Sequence, residues 1–276
     1  ADDACVVTFD VPEALRERFA FRAGQYLTLR ANVAGQDLRR SYSICAAPGE
    51  APRVGVRRVP GGAFSSWLHE SLRAGDAIEV MEPEGRFGAA LAQAPRHVLA
   101  VAGGSGVTPI LSILKAVLGA DATTRCTLLY GNRGSASTMF KEELEDLKNR
   151  YMTRLTLHHV FSDEFTDVPL QSGVMNREKI GEFLGGLVDP ASVDHAFVCG
   201  PYQMNDEAEA ALRAAGVAAE RIHIERFGAP LPNATDALKH QAQPGDAPQA
   251  TIVVTRDGLQ REVPYRNGDA SILDAI

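Results

Sequence analysis

The chain has 276 residues, 45% hydrophobic and 23% charged, a balance that excludes a disordered or fibrous polypeptide and exceeds what one hydrophobic core usually organises. Its formal charge of -7 argues against a nucleic-acid or anionic-membrane partner. No apolar run is long enough to cross a bilayer and no basic leader precedes one, so a cytoplasmic setting is expected.

Residues 1–94 read as a small antiparallel β-barrel. Short β-like runs at residues 5–9, 25–29, 41–45, 54–56 and 77–80 are separated by Gly/Pro-bearing turns such as Ala47-Pro48-Gly49 and Pro60-Gly61-Gly62. One helix interrupts them at residues 64–72, with Trp67, Leu68 and Leu72 facing inward.

The rhythm changes over residues 95–228 to apolar strands alternating with helices, which predicts a doubly wound, five-stranded parallel sheet. Strands are expected at residues 97–102, 126–130, 155–161, 196–199 and 222–224. Helices are expected at 108–118 and 140–151, the latter with Phe140, Leu144, Leu147 and Tyr151 at helical spacing. Its charged run, residues 141–146, reads as a solvated helix face.

Residues 229–248 read as an interdomain linker, and strand-like runs at 251–255 and 260–265 then flank the hairpin signal Asp257-Gly258. Ser271, with Asp274 three residues on, looks like a helix start. A third domain therefore opens over residues 249–276.

Six constellations carry chemistry. Arg40 and Tyr42 share one face of a strand, suited to a pyrophosphate and to stacking on a flat cofactor, while Ser41 and Ser43 lie on the other. Gly62, Phe64, Ser65 and Ser66 open a helix whose unpaired N–H groups suit an anion. Gly103, Gly104, Ser105, Gly106 and Thr108 follow the first parallel strand, where nucleotide folds bind their ligand. Arg133 and Ser135, at the end of the second parallel strand, offer charge and a donor to a ribose 2′-phosphate and so favour NADPH over NADH. Cys199, Gly200 and Pro201 end a later strand, where the thiol could pack against a nicotinamide or be a structural cysteine. Glu225 and Phe227 end the last strand on the same side, near enough to influence or cover a flavin.

Taken in this order, Arg40-Ser41-Tyr42-Ser43, Gly62 with Ser65, residues 103–109 and Cys199-Gly200-Pro201 resemble the ferredoxin–NADP reductase family over residues 4–228. Residues 21–29, 130–133 and 222–227 look closer to one branch, the reductase components of phenylacetyl-CoA epoxidase, which end in a plant-type 2Fe-2S ferredoxin domain. The resemblance implies an FAD-binding barrel followed by a nicotinamide-binding domain. It implies hydride transfer from NADPH to flavin, then single electrons passing through a 2Fe-2S cluster to an oxygenase partner such as a di-iron epoxidase. Reductases of steroid or aromatic-ring hydroxylases share that path and remain open, and a non-catalytic flavin-binding module is a remote alternative.

By the family's pattern Arg40, Ser41, Tyr42, Ser43, Gly62, Phe64, Ser65, Ser66, Thr108 and Phe227 would bind FAD. Residues 103–106, with Thr108, Arg133, Ser135, Cys199, Gly200 and Pro201, would bind NADP, and Ser43, Cys199 and Glu225 would act in catalysis. The four cysteines, Cys5, Cys45, Cys126 and Cys199, lack the C-x4-C-x2-C spacing of a plant-type cluster, so no metal is expected on this chain. The opening also looks one strand short of family members, and a fragment of a longer protein is expected.

Overall fold

The computed structural model describes residues 1, 3–92, 95–227, 249–256 and 259–266. The chain divides into two units, Ala1–Gly228 and Ala229–Ile276.

The first part of the larger unit carries strands β1 (Ala4–Thr8), β2 (Tyr26–Val33), β3 (Gln36–Ser43) and β4 (Arg53–Arg57), helix α1 (Ala63–Glu70) and the short strand β5 (Glu79–Val80). They form two antiparallel sheets, β1-β4 and β3-β2-β5, joined by the bridge Ile44↔Val54. Leu27, Leu29, Ile44, Val54, Val56 and Phe64 fill the space between them. On α1 Leu68 is buried, Trp67 and the following Leu72 half-buried.

β3 begins at Gln36, earlier than the run at Ser41 suggested, because Ala34 and Gly35 take positive φ (51° and 83°) and turn β2 directly into β3. The polar stretch Gln36-Asp37-Leu38-Arg39-Arg40 hid this strand, since all but Leu38 are exposed. Among the described residues β1 pairs on one edge only, and a groove of about 1310 Å³ runs between it and residues 72–84.

The second part adds β6 (His97–Gly103), α2 (Val107–Ala120), β7 (Arg125–Asn132), α3 (Lys141–Arg150), β8 (Leu155–Phe161), α4 (Arg177–Gly186), β9 (His195–Gly200), α5 (Tyr202–Ala214) and β10 (Ile222–Arg226). The sheet is parallel, in the order β10-β9-β6-β7-β8. Every residue of β6 is buried, which is why its sequence is a continuous apolar run rather than an alternating one. Ile110, Leu114, Leu144 and Leu147 from α2 and α3 cover one face; Ile180, Phe183, Ala208 and Leu212 from α4 and α5 cover the other.

α4 gave little sign of itself in the sequence. It opens on the polar Arg177-Glu178-Lys179 behind an Asn176 cap, whose side chain accepts the Lys179 N–H at 2.9 Å, and it ends on two glycines. In α3, Lys141, Glu142, Glu145 and Asp146 are exposed as expected, whereas Glu143 turns inward to pair with Arg53 and Lys115.

In the smaller unit, β11 (Gln249–Arg256) and β12 (Leu259–Arg266) pair antiparallel, Arg256 opposite Leu259. The expected linker 229–248, the turn residues 257–258 and the helix start at 271–274 lie outside the described residues.

Candidate functional site

β6 lies at the middle of the sheet, with β7 on one side and β9 on the other, and a crevice opens over the carboxyl ends of β6 and β7. That crevice, about 420 Å³, is lined by Gly103, Gly104, Arg133 and Pro201 from the predicted set, and by Arg57 and Asn132.

Tight backbone packing explains the glycines. Of the loop's three, only Gly104 has positive φ, at 52°. A Cβ on Gly106 would lie 2.0 Å from the Cys199 carbonyl oxygen, and one on Gly103 would lie 2.7 Å from Pro201 Cδ. One on Gly200 would lie 3.0 Å from the Gly103 backbone. The loops after β6 and β9 therefore touch through their main chains. Thr108, 2% exposed, donates its hydroxyl to the Ser105 carbonyl at 2.9 Å and closes the loop.

Two crevice residues had escaped sequence reasoning. Arg57, on β4 of the preceding sheet, stands over Gly104: its Nη1 would be 3.5 Å from a Cβ there. Its buried Nε makes no hydrogen bond among the described residues but lies 3.6 Å from the Asp3 carboxylate, whereas neither polar atom of the buried Asn132 side chain has a partner there. Such orphaned groups suit a polar ligand. Asn132 was legible as part of Tyr130-Gly131-Asn132-Arg133; Arg57 was not, because only the meeting of two distant strands brings it there. Ser135 lies outside the crevice lining, its backbone N–H donated to a Glu164 carboxylate oxygen at 2.5 Å. Arg133 is exposed, with Nη2 4.0 Å from Asp3.

The second cluster is built on β3 and α1. Tyr42 approaches Phe64 with ring centroids 6.2 Å apart, bringing the strand carrying Arg40 to the first turn of the helix. Burial pushes the Tyr42 hydroxyl up to about 12, so it stays neutral. Arg40 is exposed and makes no ion pair among the described residues. Ser41 bonds Thr28 across the ladder at 2.9 Å. Ser65 accepts the Val59 N–H at 3.1 Å and donates to the Gly62 carbonyl at 3.3 Å, tightening the turn. No side chain caps the N-terminus of α1, so this helix start with an exposed guanidinium nearby fits a dinucleotide's phosphates.

The remaining predicted residues are divided between the two halves. Ser43, 5% exposed, lies opposite Tyr26 in the β2–β3 ladder. Burial raises the Tyr26 hydroxyl, helped by Glu84, whose carboxylate it contacts at 3.3 Å, and to a lesser degree by Glu225. Glu225 is paired with Cys199 in the β9–β10 register. Cys199 is fully buried, and burial followed by the Glu225 charge pushes its thiol far above its ordinary value. It is a neutral, compact group and no thiolate nucleophile. Burial also raises the Glu225 carboxyl. Phe227 follows at the end of β10, 41% exposed. The predicted catalytic residues thus fall into two sets, Ser43 beside Tyr26 and Glu84 in the first half and Cys199 beside Glu225 in the second.

Residues 1–88 match the family described as the oxidoreductase FAD-binding domain, and residues 100–210 the oxidoreductase NAD-binding domain. The chain is 42% identical to a subunit of the 1,2-phenylacetyl-CoA epoxidase of Escherichia coli, across 99% of this chain and 76% of that protein. It is 33% identical to the ferredoxin reductase component of 3-ketosteroid-9-alpha-monooxygenase of Rhodococcus rhodochrous, across 93% of this chain and 70% of that protein. Among solved structures, the FAD/NAD-binding domain of a Vibrio cholerae nitric oxide dioxygenase superposes with a TM-score of 0.67 at 26% identity, covering 82% of this chain and 92% of that one. A Neisseria gonorrhoeae ferredoxin NADP+ reductase with bound FAD and NADP shares the fold, with a TM-score of 0.67 at 19% identity, covering 82% of this chain and 93% of that one.

Proposed function

This chain belongs to the FAD- and NAD-binding ferredoxin reductase family of oxidoreductases, and from that premise we propose that it is the NADPH-oxidising reductase component of a multicomponent oxygenase. The observation that carries the reading is the meeting of the two halves at the glycine loop, where Arg57 of the first half stands over Gly104 and Gly55 faces Thr108 of the second. Groups held by the first half and by the second would be neighbours there.

Arg40 holds the FAD pyrophosphate, Tyr42 stacks on the isoalloxazine, and Gly62, Phe64, Ser65 and Ser66 present the helix start to the phosphates. Ser43 and Phe227 would border the flavin ring. Residues 103–106 cradle the nicotinamide dinucleotide, with Thr108, Cys199, Gly200 and Pro201 around the nicotinamide. Bound there, the flavin supplies the ability to take a hydride from the nicotinamide and release electrons singly. The chain's own residues would orient both rings: the buried Cys199 thiol is neutral, and the raised Glu225 carboxyl takes up a proton more readily than an exposed one.

Two guanidiniums, Arg57 and Arg133, border the crevice and support a 2′-phosphate, hence NADPH over NADH. Ser135 would have to exchange Glu164 for that phosphate to take part. The 42% identity supports the epoxidase of phenylacetyl-CoA as electron acceptor, reached through a 2Fe-2S centre that the four cysteines here are not spaced to ligate. The 33% identity to a ketosteroid monooxygenase reductase favours, as second reading, another oxygenase on the same electron path. Four unbridged cysteines accord with work in the cytoplasm.

Purified protein loaded with FAD should be yellow and should bleach anaerobically on adding NADPH, more slowly on adding NADH. Protein that stays colourless in excess FAD would end the reading, and equal bleaching by both nucleotides would remove the part given to Arg133.

A further inference from the structure

Alternate residues of β4 face in opposite directions. Val54 and Val56 are fully buried in the core of the flavin half, while Arg53, Gly55 and Arg57 face the nucleotide half. Each of the three meets the segment 137–143: Arg53 pairs with the Glu143 carboxylate, Arg57 donates to the Ser137 carbonyl, and Gly55 lies under the Phe140 ring.

The middle contact is the tightest. A Cβ on Gly55 would lie 2.6 Å from Phe140 Cζ and 2.8 Å from Cε2, so the ring occupies the space a side chain would take. Phe140 holds φ at 56°, a left-handed conformation costly for a bulky residue and kept only where its surroundings over-determine it. The same notch reaches the residue that closes the glycine loop, since that Cβ would also lie 3.1 Å from Thr108 Cγ2. The Glu143 carboxylate is shared with Lys115 of α2, so the segment is tied to β4 on one side and to the helix behind the glycine loop on the other.

We propose that Gly55 and Phe140 are a positioning pair: the ring seated in the side-chain-free notch of β4 sets the distance between the nucleotide-binding loop and the flavin half. The proposal rests on the reading that electrons pass from NADPH to flavin across this boundary. A methyl group at 55 would push the ring out by about 1 Å, the shortfall from an ordinary carbon–carbon contact. A displacement of that size between reacting rings costs up to about a hundredfold in rate while leaving each binding site intact.

The test compares the whole chain as wild type, Gly55→Ala, Phe140→Leu and the double variant. Three readouts are taken: single-turnover flavin reduction by NADPH, NADP+ affinity, and amide hydrogen exchange of residues 137–143 in cofactor-free protein. Gly55→Ala should slow reduction by about ten- to a hundredfold with NADP+ affinity within about twofold, and should speed exchange in 137–143. Adding Phe140→Leu to it should restore both exchange and reduction to within about threefold of wild type. Wild-type reduction and exchange in Gly55→Ala, or a double variant as slow as the single one, would overturn the positioning role while leaving the functional reading standing. Should Gly55→Ala not fold, Phe140→Leu alone decides: faster exchange with reduction slowed about tenfold supports the pair, and wild-type behaviour overturns it. Wild-type protein that binds FAD yet is not bleached by NADPH would overturn the functional reading and this one together.

Discussion

Glu225 and Arg133 show how the same residue types differ by surroundings. Burial raises the Glu225 carboxyl from its ordinary 4.5, so its proton is lost at a higher pH than from an exposed glutamate. A pH profile of flavin reduction should therefore show an inflection above 4.5 that Glu225→Gln abolishes, with FAD binding retained. Arg133 is exposed and borders the crevice, so its worth to a 2′-phosphate is that of a partly hydrated ion pair. Arg133→Ala should raise the NADPH dissociation constant by about tenfold and leave NADH within about twofold, as titrations of the two nucleotides would register. Both residues were legible from their places at strand ends. Arg57, Tyr26 and Glu84 were not, because nothing local marks them: Arg57 comes to stand over Gly104 only when two strands distant in the chain meet.

At the scale of elements, the glycine loop after β6 was read as a nucleotide loop because of its position between strand and helix, and the crevice lies there. The reason for each glycine was not readable. Gly106 is required by the Cys199 carbonyl, 2.0 Å from where a Cβ would stand, and that neighbour is 93 residues further along the chain. Gly106→Ala should therefore destabilise the protein by at least about 2 kcal/mol and weaken NADP+ binding. Gly181, exposed within α4 with nothing within 4 Å of a Cβ, is the control: Gly181→Ala should stabilise by about 0.5–1 kcal/mol. Chemical denaturation of the two variants checks both signs. The first half of strand β3 and the whole of helix α4 escaped notice for the same physical reason, an exposed or polar opening that leaves too few apolar residues to set a period.

For the whole molecule, the parallel sheet carries a buried histidine that couples stability to pH. His97 is 4% exposed and its ring nitrogens contact the hydroxyls of Ser192 and Thr127 at 2.9 and 3.0 Å. Burial holds its pKa down to about 4 from an ordinary 6.5. The unfolded chain thus binds a proton that the folded one refuses. Stability is fully present above 6.5 and falls as pH drops towards 4, by up to about 3 kcal/mol. Denaturation midpoints measured between these pH values should decline in the wild type and flatten in His97→Gln.

The sequence by itself determined the class of the molecule: antiparallel strands, then a doubly wound parallel sheet, then a further hairpin, because hydrophobic period and glycine punctuation are local signals. It also marked the strand ends where ligands of such folds bind, because a strand end is itself a local feature. Tertiary structure alone decided how the two halves of the larger unit meet. The Arg53–Glu143–Lys115 cluster, the Phe140 ring in the Gly55 notch and the Arg57 guanidinium over Gly104 join residues far apart in the chain. No period or motif encodes a contact between two faces that become neighbours only after each has folded.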